Sequence, residues 1–157
     1  MNRESILNTL RARAGEDWVA LEDKAPARAY AEIRAAALPR LARWLVSEAG
    51  ARFNIASGVD GRDALEVLYH FTVEDIDLVL TLRVRVPKSD PVLPSLAEAM
   101  PAANWIEREI SEMLGITFTG HPGMKRLLLP DDWPADSYPL RQDYAEWDAG
   151  AIRNRGV

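Results

Sequence analysis

Two stretches of the chain alternate apolar and polar residues with a period of two. In the first, Leu65, Val67, Tyr69, Phe71 and Val73 are apolar; in the second, Leu78, Leu80, Leu82, Val84 and Val86 are, with Thr81, Arg83 and Arg85 on the other side. Such alternation predicts half-buried strands, and the short acidic turn Glu74–Asp77 between them predicts an antiparallel hairpin. Arg52–Ser57 reads as a further strand, bounded by Gly58 and Gly61. Residues 28–34 alternate Ala29, Ala31 and Ile33 against Arg28, Tyr30, Glu32 and Arg34. They are assigned as a strand, although the alanines would serve a helix equally. The reason is Pro39, which suits the first turn of a new helix over 39–49. That helix has an apolar face of Leu41, Trp44 and Leu45 and is closed by Gly50.

Three other stretches carry helical spacing. Residues 2–13 have Asn2 as N-cap, Ile6, Leu7 and Leu10 on one face, and Gly15 as the stop. Ser95 is expected to cap a short helix that Pro101 ends. A helix over 105–114 has Asn104 in the cap position and Glu107 at the capping-box spacing, with Gly115 as the C′ residue. Its stripe is Ile106, Ile110, Met113 and Leu114. Glu109 falls at the edge of that stripe and Arg108 on the opposite side. The sum is an α+β fold, a three- to four-stranded, mostly antiparallel sheet with helices on one face.

Composition changes this picture in the second half. Eight of the ten prolines lie between Pro87 and Pro139, and six of the twelve aromatic residues between Trp105 and Trp147. From Ile116 onward prolines and glycines prevent a long helix or central strand, yet Leu127, Leu128, Leu129, Trp133, Tyr138, Leu140, Tyr144 and Trp147 are large apolar groups. The expected division is an α+β domain over 1–115 and an extended, proline-rich C-terminal arm over 116–157. A segment so rich in apolar groups must pack on its own domain, on a partner, or on both.

Charge and chemistry narrow the function classes. The 157 residues hold 19 basic and 24 acidic side chains, a net charge of −5, no cysteine and two histidines. This balance argues against generic nucleic-acid binding. Without cysteine the chain has no disulfide, no thiolate nucleophile and no cysteine-held cluster or zinc site. No apolar run approaches a membrane span and residues 1–13 do not resemble a signal peptide, so a soluble or peripheral protein is expected. Glu107 and Glu109 point about 200° apart on a helix and cannot share a proton. His121, in Gly120-His121-Pro122, is a candidate base, but no nucleophile stands at a recognised spacing. It reads better as a turn histidine bonded locally or across an interface. Lys125, Arg126 and Arg141 lack a glycine-rich phosphate cradle. The aspartates at 131, 132, 136 and 143 lack calcium-loop spacing.

The second half also carries a family resemblance. Trp105-Ile106-Glu107-Arg108-Glu109-Ile110-Ser111-Glu112-Met113-Leu114-Gly115-Ile116 is followed by Phe118-Thr119-Gly120-His121-Pro122, Lys125-Arg126-Leu127-Leu128 and Pro139-Leu140-Arg141-Gln142-Asp143-Tyr144. Together these resemble the signature of the thirty-kilodalton subunit, the C subunit, of NADH:quinone oxidoreductase (respiratory complex I). The homologous domain occurs in energy-converting, membrane-bound nickel–iron hydrogenases. The pattern usually has aspartate and an aromatic where Glu112 and Leu114 stand, and lysine where Gln142 stands. The run Leu127–Pro134 looks closer to the hydrogenase branch.

The resemblance implies a non-catalytic subunit of a complex's peripheral arm, with no cofactor of its own. Iron–sulfur clusters and nickel–iron or quinone sites are then expected on partner subunits. It implies docking on a large hydrogenase-like subunit beside a small iron–sulfur subunit, on the cytoplasmic face of the inner membrane, reached only through the complex. The implied partner-binding residues are Trp105, Glu107, Arg108, Glu109, His121, Arg126, Trp133, Arg141, Asp143 and Tyr144. Two other readings stand beside it: a small enzyme using His121 with a carboxylate, and a transient assembly factor.

Overall fold

The computed structural model describes residues 2–145. The two alternating stretches form strands β4 (Ala64–Val73) and β5 (Leu78–Pro87), paired antiparallel from Ala64 opposite Pro87 to Val73 opposite Leu78. Their odd-numbered residues in β4 and even-numbered residues in β5 are buried. Each such large aliphatic group withdrawn from water contributes roughly 1.5–3 kcal/mol before the entropy of ordering is counted. The hairpin turn closes with Asp77 in the left-handed region, at φ 49°.

Strand β2 (Arg28–Ile33) lies parallel to β5 and sets Ala29, Ala31 and Ile33 beside Leu80, Leu82 and Val84, so the buried face continues. Strand β1 (Trp18–Ala25) folds back antiparallel on β2 as one edge. Strand β3 (Arg52–Asp60) pairs antiparallel with β4 as the other edge. The sheet order is β1-β2-β5-β4-β3.

Helix α1 (Arg3–Ala14) begins where the Asn2 side chain accepts a hydrogen bond from Ser5 N at 2.8 Å, and it buries Ile6, Leu7, Leu10 and Ala14. Helix α2 (Leu38–Ser47) has Pro39 in its first turn and buries Leu38, Leu41, Ala42, Trp44 and Leu45. Helix α3 (Ala103–Leu114) packs along β3. The approach is close at Gly58, where a Cβ would lie 2.5 Å from Leu114 Cδ1. The outer sheet face carries a run of ion pairs. Arg83 donates to Glu22 at 2.8 Å, and Arg83 and Arg85 both pair with Glu66.

The fold class is α+β with a mostly antiparallel sheet, as expected. The strand count is not: five strands replace three to four, and β2–β5 is a parallel pair. A second, two-stranded parallel sheet joins β6 (Val92–Pro94) to β7 (Thr117–Thr119). β3 runs on through Gly58 to Asp60, because Gly58 is a seat for α3 rather than a stop.

No helix starts at Ser95. Residues 95–100 make turns in which Ala97 N bonds Ser95 Oγ and Met100 N bonds Leu96 O, and Ser95 N is drawn to Thr119 O instead. Ile116 and Phe118 are buried in the core, so the folded body continues through β7. Beyond it, residues 120–145 form neither helix nor strand.

Candidate functional site

The site is organised by α3. Its first turn departs from the expected capping box. The helix opens one residue earlier than Asn104, at Ala103, with no side-chain cap, and Glu107 turns inward. Glu107 is 0% exposed. Its carboxylate accepts from Ser95 Oγ at 2.5 Å and from Leu96 N at 2.7 Å, which ties α3 to the turn after β6. Burial raises its pKa above the ordinary carboxylate value, and these donors together with the nearby His121 oppose the rise without cancelling it. The Tyr69 hydroxyl, buried beside it, closes no hydrogen bond of normal geometry. Burial, followed by the charge of Glu107, drives the Tyr69 pKa upward. The carboxylate at the edge of the stripe, Glu109, is exposed, so the buried acid of this helix is Glu107 and not Glu109.

The polar side of α3 holds residues 120–145. Arg108, 8% exposed, donates from Nε to Lys125 O at 2.9 Å and from Nη2 to Arg126 O at 2.7 Å. One turn on, the Glu112 carboxylate accepts from the amides of Leu127 and Leu128 at 3.0 and 2.7 Å. At the helix C-terminus Arg141 Nε donates to Leu114 O at 2.6 Å, a cation placed on the negative end of the helix dipole. Leu140 N bonds Met113 O at 3.1 Å. The ring of Tyr138 lies over Gly115, which has φ 73° and where a Cβ would meet Tyr138 Cε2 at 2.5 Å.

Further anchors act along the segment itself. His121 Nε2 lies 3.0 Å from Asn104 O, and Nδ1 accepts from Gly123 N at 3.1 Å, which assigns the Nε2–H tautomer. Arg126 donates to Pro130 O and Trp133 O, both at 2.6 Å. Trp133 stacks on Tyr144 with ring centres 6.3 Å apart. Gln142 gives two bonds to Asp60, from N to Oδ2 at 2.7 Å and from Nε2 to the backbone O at 2.6 Å. Burial opposes the charge of Asp60, but the Lys88 ammonium 2.5 Å away and the Gln142 amide hold its carboxyl below the ordinary value.

The residues singled out in the sequence therefore divide in two. Arg108, His121, Arg126 and Arg141 bind the chain's own backbone, Glu107 binds the turn after β6, and Trp133 and Tyr144 stack on each other. Trp105 at 67% exposure, Glu109 and Asp143 face outward. Leu140 at 61% and Leu128 at 60% add exposed apolar surface. Sequence reasoning passed over Ser95, Glu112, Asp60 and Gln142 as anchors. Glu112 was within reach, since it stands four residues after Arg108 on one helix face. Asp60 was not, because its partners Lys88 and Gln142 are distant in sequence. Among the described residues no three His, Asp or Glu side chains converge as a metal site. No helix among them is long and apolar enough to cross a membrane.

Comparison with known proteins agrees with the resemblance in the second half. Residues 31–148 match the family described as the respiratory-chain NADH dehydrogenase 30 kDa subunit. The chain is 45% identical over 113 residues to the C subunit of the NADH-quinone oxidoreductase of Herpetosiphon aurantiacus, covering 68% of this chain and 65% of that one. It is 43% identical over 100 residues to the C subunit of the F(420)H(2) dehydrogenase of Methanosarcina mazei, covering 62% and 63%. Both relatives are matched over somewhat less than two thirds of their own length.

Among solved structures, a chain of the membrane-bound sulfane sulfur reductase, an archaeal respiratory membrane complex, superposes with a TM-score of 0.74 at 20% identity. The superposition covers 96% of this chain and 88% of that one. A trypsin-resistant fragment of Nqo5 superposes with a TM-score of 0.64 at 23% identity, covering 76% and 97%. These two likenesses establish the fold. The chain thus has the α+β fold of these two structures. It belongs to the 30 kDa subunit family of the respiratory-chain NADH dehydrogenase.

Proposed function

We propose that this chain is a non-catalytic scaffold in the peripheral arm of a complex-I-like, membrane-bound redox complex, of either the hydrogenase or the quinone-reductase type. In this reading it docks on a large hydrogenase-like subunit, sits beside a small iron–sulfur subunit and keeps the two in register. It holds no redox group itself. It reaches the cytoplasmic face of the membrane only through that complex.

The observation that carries the reading is the exposed apolar surface of Trp105, Leu128 and Leu140, gathered on α3 and the segment pinned to it. Isolated exposed apolar residues are ordinary, but an exposed Trp on a helix is the residue type most enriched among interface anchors. The many bonds from residues 120–145 to α3 support it further, because a preshaped surface binds without the cost of ordering itself.

Native affinity purification of the tagged chain from its own cells, followed by mass spectrometry, tests this. The expected result is equimolar recovery with a large and a small redox subunit, whose sequences also decide the branch. Substoichiometric recovery would assign a transient assembly factor. Turnover by the purified single chain, lost in His121→Ala, would assign a small enzyme.

A further inference from the structure

The two edges of the five-stranded sheet are built differently. Along β1 the edge carries Glu22 and Asp23 and turns at Pro26, all features that discourage another strand from pairing. Along β3 the stretch Ile55-Ala56-Ser57-Gly58-Val59 has no charge and no proline. Edge strands of this kind are either a hazard or a binding site.

The backbone groups on this edge can be assigned. Gly61 N bonds Ala64 O, which makes Gly61–Ala64 a hydrogen-bonded pair, and Asp60 O is free to accept from Gln142. Pairs alternate along an antiparallel ladder, and the register from Asp60 back to Ile55 is unbroken. Hence Gly58 and Ala56, like Asp60, turn their N–H and C=O away from β4. Among the described residues nothing bonds those four groups, whereas the arm residue Gln142 closes the edge at Asp60.

Beside this open edge runs a groove of about 280 Å³ between β3 and α3, floored by Ile106, Ile110, Met113 and Leu140. Glu109 stands on its rim, exposed and without an ion pair among the described residues. A strand laid on the edge would bond Ala56 and Gly58 and drop alternate side chains into the groove. The lone carboxylate asks for a cation at one of them.

We infer that β3 accepts, by strand addition, an extended segment of a partner subunit with apolar residues at alternate positions and one Lys or Arg opposite Glu109. This rests on the scaffold reading and specifies its contact.

Amide hydrogen exchange of the full chain, alone and within the complex recovered from cells, tests the contact residue by residue. The Ala56 and Gly58 amides are expected to exchange at least about a hundredfold more slowly in the complex, while those of Ser57 and Val59, bonded to β4, change little. Ala56→Pro removes an outward N–H, which an edge strand tolerates, and adds ring carbons at a position that is 7% exposed. It is expected to lower recovery of the complex at least about tenfold, with the free chain still melting in one cooperative transition. Should that variant fold poorly, Glu109→Arg reverses an exposed charge and is expected to lower recovery by a similar factor.

A complex that assembles with Ala56 and Gly58 still exchanging freely would overturn strand addition and leave the scaffold reading standing. Recovery of no partner at all would overturn both. Protection that appears in the free chain as its concentration rises would assign the edge to a second copy and also overturn the proposal.

Discussion

Glu107 shows how one side chain can serve as a structural strut while resisting its own charge. Unfolded, it titrates in the ordinary carboxylate range; folded, burial raises its pKa. Between those two values the folded chain keeps a proton that the unfolded chain has lost. The stability it contributes is therefore complete below the ordinary range and declines as pH rises through the raised value. Glu107→Gln keeps both hydrogen bonds possible and carries no charge. Thermal melts of the two proteins across pH should converge on the acid side, with the wild type falling relative to the variant as pH rises. Glu107→Ala is expected to cost about 2–3 kcal/mol in urea unfolding, because Ser95 Oγ and Leu96 N lose their buried acceptor. Gly115 is a second such point. Gly115→Ala meets both the left-handed φ and the Tyr138 ring, and a loss of about 1–3 kcal/mol in the same assay is expected.

At the scale of elements, α3 organises a segment that has no regular structure of its own. Arg108, Glu112 and the helix C-terminus each replace the backbone partners that a strand or helix would have given residues 120–145. Arg141→Ala frees Leu114 O and is expected to cost about 1–2 kcal/mol. Limited proteolysis should then cut sooner after residue 137 than in the wild type.

This scale also decides what could be read in advance. β4 and β5 were legible because one face of each is buried and the other wet, which writes a period of two into the sequence. β2 alternates too, but its alanines suit a helix as well, and Pro39 beyond it decides the assignment. β1 was not legible: it is an edge strand with Val19 and Leu21 exposed, so its ladder to β2 leaves no clear alternation. The Glu107 spacing fits a capping box and a buried strut equally well. Ser95 decides between them, and only the pairing of β6 with β7 brings Ser95 to α3. The signature around Trp105–Tyr144 covers α3 and the segment bonded to it. It could not say which of its charged residues bind the chain itself and which face outward.

For the whole molecule, the distinction is between surface that the fold consumes and surface it leaves. Trp105→Ala alters an exposed position and should change stability by no more than about 0.5 kcal/mol. The same variant should weaken association with the large subunit proposed as its partner at least about tenfold, as measured by recovery of the complex. A variant that lowered melting temperature and recovery together would instead make Trp105 part of the fold.

The parallel pairing of β2 with β5 also sets an order in time. β2 is complete more than forty residues before β5 has been synthesised, an interval of roughly two to nine seconds on a ribosome. Through that interval β2 lacks its strand partner β5, while β3, β4 and β5 can close as a meander once they emerge. The amino-terminal hairpin therefore cannot join the sheet before β5 has emerged. A nascent chain halted before Leu78 would present it, unpaired, to chaperones and proteases.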